Sequence, residues 1–128
     1  MTPAAQIAAL INEHSSLTVT ISPEQVSKHC YVTLPGVKAC AKVQKLAWYL
    51  AEISHLVVHP DFRRRGHAGE IVWLACLQAK EMGARIAQCT VRHDNLASRS
   101  LFDGMGFVRG VSFIGPSGKE VSVWQKTL

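Results

Sequence analysis

The chain has 128 residues, enough for one compact domain spanning 1–128 and too few for a second of ordinary size. It is 48% hydrophobic and 18% charged, a composition that can bury a core, and no apolar run reaches the roughly 20 residues needed to span a membrane. Fourteen basic residues against nine acidic ones give +5 and favour an anionic ligand; the one tight basic run, Arg63-Arg64-Arg65, suits a small polyanion better than a nucleic acid.

In chain order, residues 3–13 read as a helix: Thr2 can cap it, Pro3 suits its first position, and Ile7, Leu10 and Ile11 share a face. The start lacks the charged segment and apolar block of a signal peptide, so a cytoplasmic protein is expected. Leu17 to Ile21 is a short β-like run, and Ser22-Pro23-Glu24-Gln25 has the form of a capping box opening a brief helix. His29 to Leu34 and Val37 to Val43 read as strands joined at Pro35-Gly36, the second alternating apolar and polar residues. Ala47 to Val58 is a longer apolar stretch stopped by Pro60, but no Gly or Pro marks the turn before it.

From Gly66 to Met82 the apolar spacing becomes helical, with Gly83 as the stop. Arg85 to Val91 reads as a strand and Asn95 to Asp103 as a helix ended by Gly104 and Gly106. Phe107 to Ile114 and Glu120 to Gln125 make a final hairpin around Gly115-Pro116-Ser117-Gly118. The expected class is α/β (α+β), a mixed sheet with helices on its faces. Cys30, Cys40, Cys76 and Cys89 are widely spaced, without a CxxC pair or clustered histidines, and read as buried free thiols with no metal.

The informative segment runs strand, turn, helix from Leu56 to Gly69. A helix start offers unpaired N–H groups and a partial positive charge, Gly66 and Gly69 let backbone approach an anion, and three arginines add charge. A plain strand-to-helix turn would use the same glycines for their backbone angles. Arg63-Arg64-Arg65-Gly66-His67-Ala68 fits the pattern Arg/Gln-x-x-Gly-x-Gly/Ala. Asn95-x-x-Ser98-x-x-Leu101-Phe102-x-x-Met105-Gly106-Phe107 is similar to Asn-x-x-Ala/Ser-x-x-Leu-Tyr-x-x-x-Gly-Phe. By these two blocks the chain resembles the GNAT N-acetyltransferases, most strongly over residues 50–110.

That resemblance implies a GNAT-type, mostly antiparallel sheet flanked by helices, and acetyl-CoA as co-substrate of an acyltransferase. It implies that the amides from Arg64 through Arg65, Gly66, His67 and Ala68 to Gly69 hold the pyrophosphate. Arg63 opens that motif, and the backbone of Leu56, Val57 and Val58 would lie along the pantetheine. Asn95 would contact the cofactor arm and the Phe102 ring its thioester end. Glu52, eleven residues before Arg63, occupies the place where the histone-acetylating branch keeps its general base. A surface carboxylate balancing Lys42 or Lys45 is the alternative for Glu52. His55 or His59 could instead relay a proton through water.

Phe102 departs from the tyrosine that the family commonly uses to protonate the departing thiolate. The resemblance implies an amine of a protein, peptide or small molecule as acceptor, with Trp48, Tyr49 and Trp124 read first as core and second as cleft wall. The chain is compatible with a homodimer. Two other readings are a catalytically silent acyl-CoA-binding or protein-interaction module and a nucleic-acid binder using the arginine run.

Overall fold

The computed structural model describes residues 1–15 and 20–128. The chain forms α1 (Pro3–His14), α2 (Pro23–Ser27), β1 (Cys30–Thr33), β2 (Ala39–Ala47), β3 (Leu50–Val58), α3 (His67–Glu81), β4 (Ile86–Arg92), α4 (Leu96–Gly104), β5 (Val108–Ile114) and β6 (Glu120–Thr127). The Thr2 hydroxyl caps α1 by accepting from the Ala5 amide at 3.1 Å. Ser22 and Gln25 form the reciprocal capping box that the sequence announces at α2. Most of the β-like run Leu17 to Ile21 falls on residues 17–19, outside the described residues; Thr20 and Ile21 are not in a strand.

The sheet order is β1-β2-β3-β4-β6-β5, antiparallel throughout except for β3 beside β4. The mixed α/β expectation therefore holds, with a mostly antiparallel sheet flanked by helices. One face carries Ala39, Ala41, Val43, Ala51, Ile53, Ala87 and Cys89, which pack on Ile71, Val72 and Ala75 of α3. On the other face Cys40 and Val57 pack against Ile7, Leu10 and Ile11 of α1 and Val26 of α2. Small side chains on the α3 face let the helix lie close to the strands, and the 0% exposure of Ala39, Ala41, Ala51 and Ala87 shows that the fit is tight.

Three expectations need correction. The strand expected from Val37 begins at Ala39, because Pro35–Val37 forms a short 3-10 turn with Gly36 at φ 71°. The unmarked turn is Trp48-Tyr49, between β2 and β3. Trp48 and Tyr49 are not core: they are 72% and 41% exposed and stack edge to face at 5.3 Å, while Trp124 is buried. A two-residue turn leaves both rings beyond the end of the sheet, where neither helix layer reaches them.

Phe102 is 4% exposed, its ring meeting that of Phe107 at 5.1 Å in a T-shaped contact. Truncating a buried aromatic leaves a cavity that the surroundings only partly close. Phe102→Ala is therefore expected to destabilise the fold by about 3–5 kcal/mol. A urea-midpoint shift equivalent to under about 1 kcal/mol would show that this ring is not a core element.

Candidate active site

The parallel pair β3/β4 is joined only where Leu50, Ala51 and Glu52 face Ile86, Ala87 and Gln88. Beyond that point β3 continues to Val58 and β4 to Arg92 without pairing, so the two strands splay and leave a gap bordered by main-chain groups. Unpaired N–H and C=O groups along such a gap can take an extended ligand as an added strand.

A bulge shapes the β3 border. The β2–β3 register shifts between Cys40 and Lys42, and His55 takes φ 50°. The extra residue inverts the side-chain alternation. Ala51 and Ile53 face α3 before it, whereas Leu56 and Val58 face α3 after it, with Val57 turned to α1. His59 donates its amide to the carbonyl of Lys38, the residue before β2. The Val58 carbonyl therefore points the other way, toward the gap, where Arg63 Nε donates to it at 3.1 Å. Arg63 thus clamps the end of β3.

At the mouth of the gap lies the Arg63–Gly69 turn. Arg64 has φ 63° and Gly66, the N-cap of α3, has φ 81°. Alternating left-handed residues turn successive N–H groups to one side, a concavity suited to anions. Among the described residues, the amides of Arg64, Arg65, Gly66, His67, Ala68 and Gly69 donate to no protein group; the next amide, Glu70, closes the helix onto the Gly66 carbonyl at 3.2 Å. The guanidinium of Arg65 rests 5.8 Å from the centre of the Phe62 ring, and all three arginines are exposed. A Cβ at Gly69 would lie 3.7 Å from Met105 Sδ, so the start of α3 and the end of α4 stand side by side.

Glu52 stands at the vertex of the splay, on the face turned from α3. Register places Gln44, Glu52, Gln88 and Gln125 in one row across four strands, and Gln125 Nε2 donates to Gln88 Oε1 at 2.8 Å. Among the described residues, nothing hydrogen-bonds or ion-pairs with the half-buried Glu52 carboxylate, neither Lys42 nor Lys45 included; Lys45 instead donates to the Met82 carbonyl at 2.8 Å. Its hydrogen-bonding capacity is free for a ligand.

The other proposed site residues are placed differently. Asn95 caps α4, its Oδ1 accepting from the Ser98 amide at 3.1 Å, which leaves its amide nitrogen for other partners. Phe102 is enclosed in the core, as described above. His59 belongs to the turn after β3: its Nδ1 accepts from the Asp61 amide and its ring meets His14 at 4.8 Å. His55 lies on the Glu52 side of the sheet, where its Nδ1 and the Tyr31 hydroxyl form a 2.7 Å hydrogen bond. Sequence reasoning missed that pair, since Tyr31 is two strands away.

Burial lowers the pKa of His55 below its ordinary 6.5, helped by the nearby charges of Lys42 and His29, and pushes Tyr31 up to about 12. A histidine held neutral in the fold binds its proton more readily once unfolded. Its stabilising contribution is full above pH 6.5 and is lost as pH falls through the lower folded value. Urea midpoints are therefore expected to decline below pH 6.5 for the native chain and less steeply for His55→Asn, whose side chain tolerates the left-handed backbone. Parallel declines in the two proteins would remove His55 from the acid response.

A splayed parallel pair with a turn of unpartnered amides at its mouth is an arrangement suited to an extended ligand with an anionic end. The Acetyltransferase (GNAT) family model matches residues 11–107, more than half of the chain, and the protein belongs to that family. Similar solved folds include the NatC complex bound to Gag peptide and CoA, with TM-score 0.80 and 17% identity over 98% of this chain and 90% of that one. Another is the ribosomal-protein-S18-alanine N-acetyltransferase of Escherichia coli, with TM-score 0.75 and 16% identity over 97% and 86%. A third is yncA of Salmonella typhimurium with its cofactor acetyl-CoA, with TM-score 0.73 and 15% identity over 97% and 84%. No curated protein matches the sequence. Among the described residues, no helix is long and apolar enough to cross a membrane.

Proposed function

We propose that the protein transfers an acetyl group from acetyl-CoA directly to a primary amine of a protein, peptide or small molecule. The observation that carries this reading is the run of free amides from Arg64 to Gly69 at the mouth of an unpaired strand gap. These amides, with the partial positive charge at the start of α3 and the arginines around it, would hold the pyrophosphate. The β3 edge at Leu56, Val57 and Val58, unpaired with β4 although Arg63 holds the Val58 carbonyl, would bind the pantetheine amides, and Asn95 would offer its remaining amide nitrogen to the same arm. Bound acetyl-CoA supplies an activated thioester carbonyl.

Glu52 acts as the general base in this reading. A lysine-like amine of pKa about 10.4 costs roughly 4–5 kcal/mol to deprotonate at pH 7, and a carboxylate that can take the proton offsets part of it. Glu52 has that capacity because no donor among the described residues occupies it. The neighbouring Gln88 and Gln125, joined to each other, flank the approaching amine with neutral hydrogen-bonding groups.

Direct transfer is favoured over a cysteine-bound intermediate. Burial pushes the Cys40 and Cys89 thiols up to about 12, and Cys76 also rises, so the nucleophilic thiolate is suppressed. Phe102 has no proton to give, and the departing thiolate, with a pKa of about 8.5 for a free thiol, leaves near neutrality with water as donor. The neighbours solved with a peptide or acting on a ribosomal protein support a macromolecular amine as acceptor.

The test is acetyl-CoA-dependent thiol release across a panel of amines, peptides and proteins, with the acetylated product identified by mass spectrometry. A time-dependent product with at least one amine class is expected. Saturable acetyl-CoA binding without acetylation of any panel member would favour the silent acyl-CoA-binding reading instead.

A further inference from the structure

A second constellation lies on the α4 side of the sheet, away from Glu52. His93, just past β4, sits between Ser112 of β5 and Glu120 of β6. Its Nε2 is 3.4 Å from the Ser112 hydroxyl and its Nδ1 is 3.3 Å from a Glu120 carboxylate oxygen. The placement is fixed by backbone: the His93 amide donates to the Glu120 carbonyl at 3.0 Å, and Arg99 Nη1 donates to the His93 carbonyl at 3.1 Å. A bulge in β5 between Arg109 and Ser112 restores Ser112 to the same face as its partner Ser122 and as Trp124.

A single imidazole bridging a hydroxyl and a carboxylate through its two nitrogens is the arrangement that activates a serine nucleophile. The carboxylate favours the tautomer with hydrogen on Nδ1, which leaves the Nε2 lone pair toward Ser112. Contacts of 3.3–3.4 Å are within the looser range of ligand-free sites. Next along this face, a groove of about 720 Å3 runs between α4 and β5, lined by Leu96, Arg99, Asp103, Phe107, Arg109 and Trp124. Ser112 lies about 7 Å, two residues of strand, from the Arg109–Trp124 pair. The groove joins an apolar floor to two cations against one carboxylate.

We propose that Ser112, His93 and Glu120 form a second, nucleophilic site that hydrolyses carboxylic esters or thioesters bearing an anionic group. The Ser112 oxygen bonds to the acyl carbon while its proton passes to His93 Nε2. The bond from acyl carbon to the leaving oxygen or sulfur breaks, and that atom takes the proton. Water then attacks the acyl-serine, one of its protons returns through Nε2 to the Ser112 oxygen, and a carboxylic acid departs. Glu120 is a positioning residue that holds the imidazole tautomer. The site uses water rather than an amine and is independent of the acetyl-transfer reading.

The experiment treats the native chain with a fluorophosphonate probe, maps the modified peptide by mass spectrometry, and follows hydrolysis of p-nitrophenyl acetate. Modification at Ser112 is expected, absent in Ser112→Ala and slowed by about 10²-fold or more in His93→Ala. Glu120→Gln is expected to lower kcat for the ester with KM unchanged. Circular dichroism of each variant separates these effects from unfolding. No modification of Ser112 in the folded native chain, or an equal rate in folded His93→Ala, would overturn the proposal.

Discussion

Glu52→Gln is expected to lower kcat for acetylation of an amine by about 10²–10⁴-fold while leaving KM for acetyl-CoA unchanged. The amide keeps the shape of the side chain but cannot accept a proton. Its neighbours in the row are Gln44 and Gln88, so a fourth amide introduces no charge and no steric conflict beside them. The loss is also expected to shrink as pH rises toward the pKa of the acceptor, because more of the amine then arrives neutral. Initial rates at saturating acetyl-CoA across pH measure both effects. A variant that turns over like the native enzyme at neutral pH would exclude Glu52 as the base.

Gly66→Val is expected to weaken acetyl-CoA binding by about 10²-fold without removing the fold. Gly66 holds φ 81°, a conformation that costs a β-branched residue strain, although nothing lies within 4 Å of the Cβ position. Relief of that strain would rotate the peptide units on either side. Losing two hydrogen bonds to a charged group, at about 1.5–3 kcal/mol each, accounts for that factor and more. Calorimetric titration of both proteins with acetyl-CoA reads the change. Equal affinities would show that the backbone of this turn does not hold the ligand.

The sequence carried a good deal of this architecture, for local reasons. Ser22 and Gln25 cap each other within one helical turn, and the helical spacing expected from Gly66 begins with α3 at His67, so both were legible from spacing alone. The Trp48-Tyr49 turn was not, since it uses neither Gly nor Pro and its aromatic residues suggest burial. The bulge at His55 has no glycine either, yet it decides which of Leu56, Val57 and Val58 face α3. Register was the other hidden quantity. Glu52 was singled out by its offset from Arg63, whereas its row with Gln44, Gln88 and Gln125 joins four strands and exists only once they pair. Arg63 could be counted as a cation from sequence, but its use as a clamp on the Val58 carbonyl depends on the turn's path.

The claim on which the functional reading rests is that the amides from Arg64 to Gly69 converge on a diphosphate. Titrating acetyl-CoA into isotope-labelled protein and following each backbone amide by NMR tests it most directly. Saturable binding is predicted, with the largest shifts at Arg64 to Gly69 and smaller ones along Leu56 to Val58. An absence of binding at millimolar acetyl-CoA, or shifts that bypass the start of α3, would contradict it.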